Sequence, residues 1–148
     1  MAVGKVLARD WTIEINTGTT AIPVWTEILG LESHTFSGDL ARANTTSRED
    51  EGVRSHLPAS RGRDLTMEGF YMVDPDTGAR DPGQAAVEAS SKLVGPSGLD
   101  GYRLTDPSNT VLCTFNASAE VTSQGGGGTD DAADWKAALG VSGVITWT

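Results

Sequence analysis

Residues 44–63 read NTTSREDEGVRSHLPASRGR, and the reading of this stretch decides the fold. It carries Arg48, Arg54, Arg61 and Arg63, the weak base His56 and the acids Glu49, Asp50 and Glu51, with Val53 and Leu57 as its only sizeable apolar side chains. As a mobile surface loop, its polarity is what solvation demands. As an extended hairpin continuing two flanking strands, it has little to bury within one molecule, and makes sense where a neighbour supplies the missing surface. A loop of this length without structure of its own is uncommon inside a compact domain and signals either disorder or a task.

Outward from this stretch the periodicity is that of strands: short runs rich in Val, Ile, Thr and aromatics, punctuated by Gly, Pro, Asp and Asn. Residues 64–73 alternate, with Leu65, Met67 and Tyr71 on one face and Asp64, Thr66 and Glu68 on the other, until Phe70 and Met72 make both faces apolar. Upstream, residues 24–37 read as a strand carrying Trp25, Ile28, Leu29, Leu31 and Phe36 that stops at Gly38-Asp39. Residues 6–16 read as another, with Trp11, Ile13 and Ile15 inward.

Downstream, Asp74-Pro75-Asp76-Thr77-Gly78 is a turn by composition. Asp81 as N-cap and Pro82 at the first helical position predict a helix over residues 81–95, with Ala85, Val87, Ala89 and Leu93 as its apolar stripe. Residues 100–105 and 110–123 form a hairpin about Asp106-Pro107-Ser108-Asn109. Its second strand sets Val111, Cys113, Phe115, Ala117, Ala119 and Val121 against Thr114, Asn116, Ser118 and Glu120. The four glycines at 125–128 predict a flexible connection, 132–139 a short helix-prone piece and 141–148 a last strand. The whole reads as mainly β with one flanking helix.

A chain of 148 residues suits one domain over 1–148. Its net charge of −9 disfavours tight binding to nucleic acid phosphates or an anionic membrane, although it suits a channel whose walls must not hold DNA. Cys113 stands alone, which excludes an internal disulfide and leaves no soft-ligand pair for zinc. The opening MAVGKVLARDW lacks the apolar core of a signal peptide, so the expectation is a soluble chain made in a reducing cytoplasm.

Catalytic patterns fail one by one. His34 and His56 stand in different segments with no completing ligands, and Gly125 to Gly128 lacks the Lys-Ser/Thr of a phosphate cradle. Cys113 falls on an apolar strand face with no neighbouring base, and no carboxylate spacing marks a general acid and base. The expectation is no catalytic residue, no metal and no cofactor.

The order WTEILGLESHTFSG (25–38), ANTTSRED (43–50), HLPASRGRDLTMEGFY (56–71), DPGQ (81–84) and VSGVITWT (141–148) resembles the major tail tube proteins of long-tailed bacteriophages with flexible tails. The likeness runs over residues 6–148. It is most specific at Thr45-Thr46, Leu57-Pro58, Glu68-Gly69-Phe70 and the closing Ser-Gly-x-Ile-Thr-Trp. The resemblance implies a β-sandwich or half-barrel flanked by a helix, assembling as hexameric rings that stack into a tube for genome delivery.

It further implies residence in the virion tail after assembly in the host cytoplasm. Tape-measure, tail terminator and tail-tip proteins would be partners, and DNA would pass without specific binding. The loop between the main strands reaches neighbouring subunits in that family. This makes Thr45, Thr46, Arg48, Glu49, Asp50, Glu51, Arg54, His56, Leu57, Pro58, Arg61 and Arg63 the expected inter-subunit contacts. Asp64, Thr66 and Glu68, with Thr114, Asn116 and Glu120, are the expected lumen lining. Residues 125–139 depart from the family pattern and read as an insert. The competing reading is a carbohydrate- or protein-binding β-sandwich using Trp25, Trp135 and Trp147 as a platform; a small hydrolase is the third.

Overall fold

The computed structural model describes residues 4–148, with Asp50 described by its backbone alone. Its elements are β1 (Thr12–Asn16), β2 (Trp25–Glu27), β3 (Leu31–Asn44), β4 (His56–Phe70), α1 (Pro82–Ser91), β5 (Leu99–Thr105), β6 (Val111–Gln124) and β7 (Asp134–Trp147), with short 3-10 turns at Ala8–Asp10, Arg48–Asp50 and Gly95–Gly98. Among the described residues the strands form one seven-stranded antiparallel sheet, in the order β2-β1-β5-β6-β7-β4-β3.

That sheet curls on itself. Phe36 of β3 stacks on Phe115 of β6 with ring centres 5.5 Å apart, although β4 and β7 lie between them. In a flat sheet three strand spacings separate such residues by about 14 Å. Trp11, just before β1, likewise lies 6.1 Å from His34 on β3. The result is a half-barrel: the four long strands β6-β7-β4-β3 make one wall, the short β5-β1-β2 the other, and the layers come from one sheet rather than two.

The concave face holds the core. Ile13, Ile15, Leu65, Met67, Tyr102, Leu104, Cys113, Phe115, Ala117, Trp135, Ala137 and Leu139 alternate inward from five strands, and Val87 and Ile28 close the cluster. Leu65 and Met67 face inward while Asp64, Thr66 and Glu68 face out, as the alternation requires. Helix α1 seals one end. Asp81 caps it by accepting from the Gln84 amide at 3.0 Å, with Pro82 in the first turn.

Several boundaries differ from the sequence reading. The run 6–16 is strand only from Thr12, and 24–37 is two strands broken before Leu31. Gly38-Asp39 does not end β3, which continues to Asn44 because β4 pairs with it throughout. The helix ends at Ser91 rather than 95, and Leu93, half exposed, is off its buried face. That face is polar instead: Gln84, Glu88 and Ser90 are buried beside Val87, each with a hydrogen-bond partner.

Residues 132–139 form no helix. Trp135, Ala137 and Leu139 alternate inward on β7, so tertiary burial overrides the local alanine-rich propensity. The supposed insert is therefore a β6–β7 hairpin, and only residues 125–133 connect it. Its glycines are held rather than loose: Asp134 accepts from the Gly126 amide at 2.9 Å and from Ser123 Oγ at 2.6 Å, and the Gly125 amide donates to the Asp134 carbonyl.

Candidate assembly interface

Pairing between β3 and β4 runs unbroken in direction from Leu31↔Gly69 to Asn44↔His56, with bulges at Leu31/Ser33 and Ala41/Arg42. On its other side β4 pairs with β7 only from Asp64↔Gly140 to Phe70↔Asp134. Beyond Asp64 the β3–β4 ribbon leaves the sheet. Residues 56–63 span about 27 Å at strand rise, so the charged stretch of the sequence is half of a two-stranded arm whose tip loop is only residues 45–55.

The tip is built from local hydrogen bonds. The Thr45 amide donates to the Ser55 carbonyl at 2.9 Å, the Ser55 amide donates to Thr46 Oγ1 at 2.8 Å, and Asn44 Oδ1 accepts from the Thr46 amide at 3.0 Å. The adjoining threonines thus close the hairpin, and the chain reverses through Glu51 (φ 49°) and Gly52 (φ 83°). Hydrogen bonds from its own backbone and from Ser47 hold the Glu49 carboxyl below its ordinary pKa.

Among the described residues nothing in the arm is buried. Thr45, Thr46, Arg48, Glu49, Glu51, Arg54, His56, Leu57, Pro58 and Arg61 are exposed, and the side chain of Asp50 lies outside the described residues. Among the described residues the ion pairs are Arg80–Glu88 and Arg103–Glu14, so none involves the arm. An isolated hairpin with no buried face is marginal in water; this one is extended because its base is anchored. Arg63, half-buried, lies over the rings of Phe36 at 5.1 Å and Trp147 at 5.2 Å. Between the base of the arm and the end of β7 opens a crevice of about 520 Å³, lined by Arg61, Arg63, Val141, Val144 and Trp147.

The other expected set falls together on the convex face. Asp64, Thr66, Glu68, Asn116 and Glu120 are exposed there and Thr114 is half-exposed. The register aligns Thr35, Thr66, Ala138 and Glu120 in one row across β3, β4, β7 and β6, and Ser37, Asp64, Gly140 and Ser118 in the next. Lys136 opposite Glu68 belongs to this face and was hidden from the sequence reading, which made residues 132–139 helical. Asp39 and Arg42 of the arm were missed for the parallel reason that β3 was ended too early, and residues 39–44 carry no clean polar alternation that marks the strand's continuation.

The short motifs acquire structural causes. In DPGQ, a Cβ on Gly83 would collide with the Glu27 carbonyl oxygen and lie 2.7 Å from Ile28 Cα, so only glycine lets the helix approach β2. Gln84 donates from Nε2 to the carbonyls of Leu29 (2.9 Å) and Phe70 (2.8 Å) and accepts from the Met72 amide (3.2 Å). It fastens α1 to the start of β3 and the end of β4. In the Glu-Gly-Phe motif a Cβ on Gly69 would collide with the Gly30 carbonyl.

No protein-family model and no curated protein matches the sequence. Solved structures do share the fold. A chain in the tail of an empty gene transfer agent particle of C6 symmetry superposes with a TM-score of 0.70 at 17% identity, covering 97% of this chain and 99% of that one. A chain of the native gene transfer agent virion gives 0.64 at 17% identity, with 97% and 99% coverage. A chain of the six-fold symmetrised anti-feeding prophage baseplate gives 0.58 at 11% identity, with 100% and 97% coverage. The chain therefore has the fold found in these tail and baseplate particles from end to end.

Proposed function

We propose that this chain is the structural subunit of a phage-like tail tube: six copies form a ring, rings stack, and DNA passes through the bore without catalysis. The observation that carries this reading is the wall β6-β7-β4-β3, four long strands with a core on one side and an ordered polar face on the other. Six such walls at about 4.8 Å per strand and a tilt near 40° close a barrel roughly 50 Å across at the backbone, which admits duplex DNA. Asp64, Thr66, Glu68, Thr114, Asn116 and Glu120 line that bore in this reading. A lining that is acidic on balance, with Lys136 set against Glu68, leaves phosphates free to slide.

The arm, with Thr45, Thr46, Arg48, Glu49, Asp50, Glu51, Arg54, His56, Leu57, Pro58, Arg61 and Arg63, is the contact to neighbouring copies. Its arginines suit bidentate carboxylate recognition and its mixed signs suit register and specificity. The particle would be a virion tail assembled in the host cytoplasm, with a tape-measure, a terminator and tip proteins as partners. The C6 symmetry of the gene transfer agent tail supports the ring.

The binding-module reading loses its platform. Trp135 is fully buried and donates to Glu88 at 2.9 Å, Arg103 lies 4.8 Å over Trp25, and Trp147, with Arg63 5.2 Å over its ring, is left as a single half-exposed indole. Negative-stain microscopy and sedimentation of the purified protein across concentrations test the proposal. Hexamers or hollow tubes are expected, and a monomer at every concentration overturns it.

A further inference from the structure

We propose that rings stack through a knob and a hollow at opposite ends of the wall: the Val144 bulge of β7 in one copy enters the apolar hollow framed by Leu29, Met72, Val73, Pro75 and Pro82 of a copy in the next ring. This rests on the tube reading above and names an axial contact separate from the arm.

The knob is a break in β7. Between the pairs Asn116↔Ser142 and Thr114↔Thr146, four steps of β7 stand opposite two of β6, so the surplus residues bulge out of the sheet. Gly143 makes the bend at φ 82°. Pairing with β4 has already ended at Asp64↔Gly140, so among the described residues no strand flanks the bulge on that side. Val144 is 90% exposed, more than any other large apolar side chain of the described residues. The charged groups lining the crevice beside it are Arg61 and Arg63.

The hollow, of about 440 Å³, lies where β4 has ended and α1 begins. Leu29, Met72 and Val73 are exposed in it. Its shape is fixed by the turn that follows β4: Val73 bridges to Arg80, the Asp74 amide donates to the Ala79 carbonyl at 2.8 Å, and the Gly78 amide donates to the Asp74 carbonyl at 2.8 Å. A hollow already shaped loses little freedom when it is filled. The same turn presents Asp74 and Asp76, both exposed, and hydrogen bonds from the Asp76 amide and the Thr77 hydroxyl hold the Asp74 carboxyl below its ordinary pKa. Arg80, which also lines the hollow, is engaged by Glu88.

The two surfaces are complementary: an apolar knob beside arginines, and an apolar hollow beside aspartates. One molecule cannot join them. The crevice stands at the Arg63 end of the paired part of β4 and the hollow beyond Phe70, and the strand between them rises about 23 Å. A second copy can. Because knob and hollow differ, the contact is head to tail, and it repeats without closing when copies stack along the wall. A contact of the same kind within a ring would close at six.

Paired cysteines test the contact. Val144→Cys is combined in one chain with Leu29→Cys, Met72→Cys or Val73→Cys; all four positions are exposed and the native Cys113 is buried. Oxidation of assembled tubes should give, for at least one pair, a covalent ladder that runs beyond six chains, with none from the single variants. A ladder that stops at six places the contact inside a ring and overturns the proposal. Val144→Asp supplies a second readout: a carboxylate driven into an apolar hollow beside Asp74 should lower the yield of tubes roughly tenfold or more while rings and the urea midpoint stay unchanged, and Val144→Leu should keep the tubes. Tubes that form with no ladder from any pair, or as readily from Val144→Asp, overturn the contact and leave the tube reading standing. So do tubes in which the thiols of Val73→Cys and Val144→Cys react with maleimide as fast as in dispersed subunits, which would leave the hollow to another protein of the tail. Absence of any ring or tube from the native protein overturns both.

Discussion

Arg80 grips Glu88 through both arms of its guanidinium, Nη1 to Oε2 at 2.9 Å and Nη2 to Oε1 at 2.6 Å. Oε1 also accepts from the indole of buried Trp135 at 2.9 Å, and the same guanidinium lies 3.8 Å from the centre of the Tyr71 ring. The residue that begins the helix's approach, the helix itself and the first turn of β7 thus share one carboxylate.

Glu88→Gln should leave the Arg80 charge half-buried without a counter-ion and lower stability by about 2–3 kcal/mol, read from urea midpoints at neutral pH. Burial pushes the Glu88 pKa up, but the hydrogen bonds from Arg80 and Trp135 and the charge of Arg80 together outweigh it, and the value lies below the ordinary one. The folded carboxyl is thus the stronger acid. Its contribution is complete above the unfolded value, about 4.3, and is lost as pH falls through the folded value. Wild-type stability should decline over that acidic window, and Glu88→Gln should remove part of the decline; parallel pH profiles would contradict this role.

Gly83→Ala places a methyl group against the Glu27 carbonyl, whereas a Cβ on Gly62 in the arm meets nothing within 4 Å. The first substitution should cost at least about 2 kcal/mol, since backbone on both sides cannot yield cheaply, and the second well under 1 kcal/mol. Chemical denaturation of both variants makes the comparison. Gln84→Leu should fall with Gly83→Ala, because it strands the carbonyls of Leu29 and Phe70 without their donor.

The legible parts of this fold were those written in local alternation. Leu65 and Met67 against Asp64, Thr66 and Glu68 announced both faces of β4, and Asp81-Pro82 announced the helix start, because caps and strand faces are decided by neighbours in sequence. The reading failed where a distant partner decides. Ala132 to Leu139 look helical until Trp135 finds its place against Glu88 and β7 finds β4. Gly38 looks like a stop until Arg63, opposite it in register, packs above Phe36. The arm's residues were legible as a charged stretch with two readings, mobile loop or extended hairpin, and the register of β3 with β4 decides for the hairpin.

Replacing residues 42–59 by a two-residue Asn-Gly turn cuts the arm above the pair Ala41↔Ser60 and keeps the register below it. None of the described residues removed is buried, so the thermal midpoint should move by less than about 4 °C, corresponding to under 1 kcal/mol in a domain of this size. Assembly should be lost. Size-exclusion chromatography and microscopy read the second outcome, and tubes built by the shortened chain would remove the arm from the interface. In the full-length protein, raising ionic strength should slow assembly, since exposed arginine contacts are screened over about 8 Å at physiological salt.

Lys136 provides a native reporter for the direction of the polar face. The chain has three lysines, Lys5, Lys92 and Lys136. Lys92 caps the C-terminal end of α1 and is exposed, while Lys136 stands opposite Glu68 on the convex wall. If that wall lines the bore, an amine-reactive reagent attached to a carrier too large to enter should label Lys136 in dispersed subunits and not in tubes. Lys92, on the outer layer, should remain reactive in both. Peptide mapping after labelling reads the ratio directly. Equal labelling of Lys136 in the two states would place Asp64, Thr66 and Glu68 on the outside of the particle and turn the wall around, with the half-barrel core facing the axis instead.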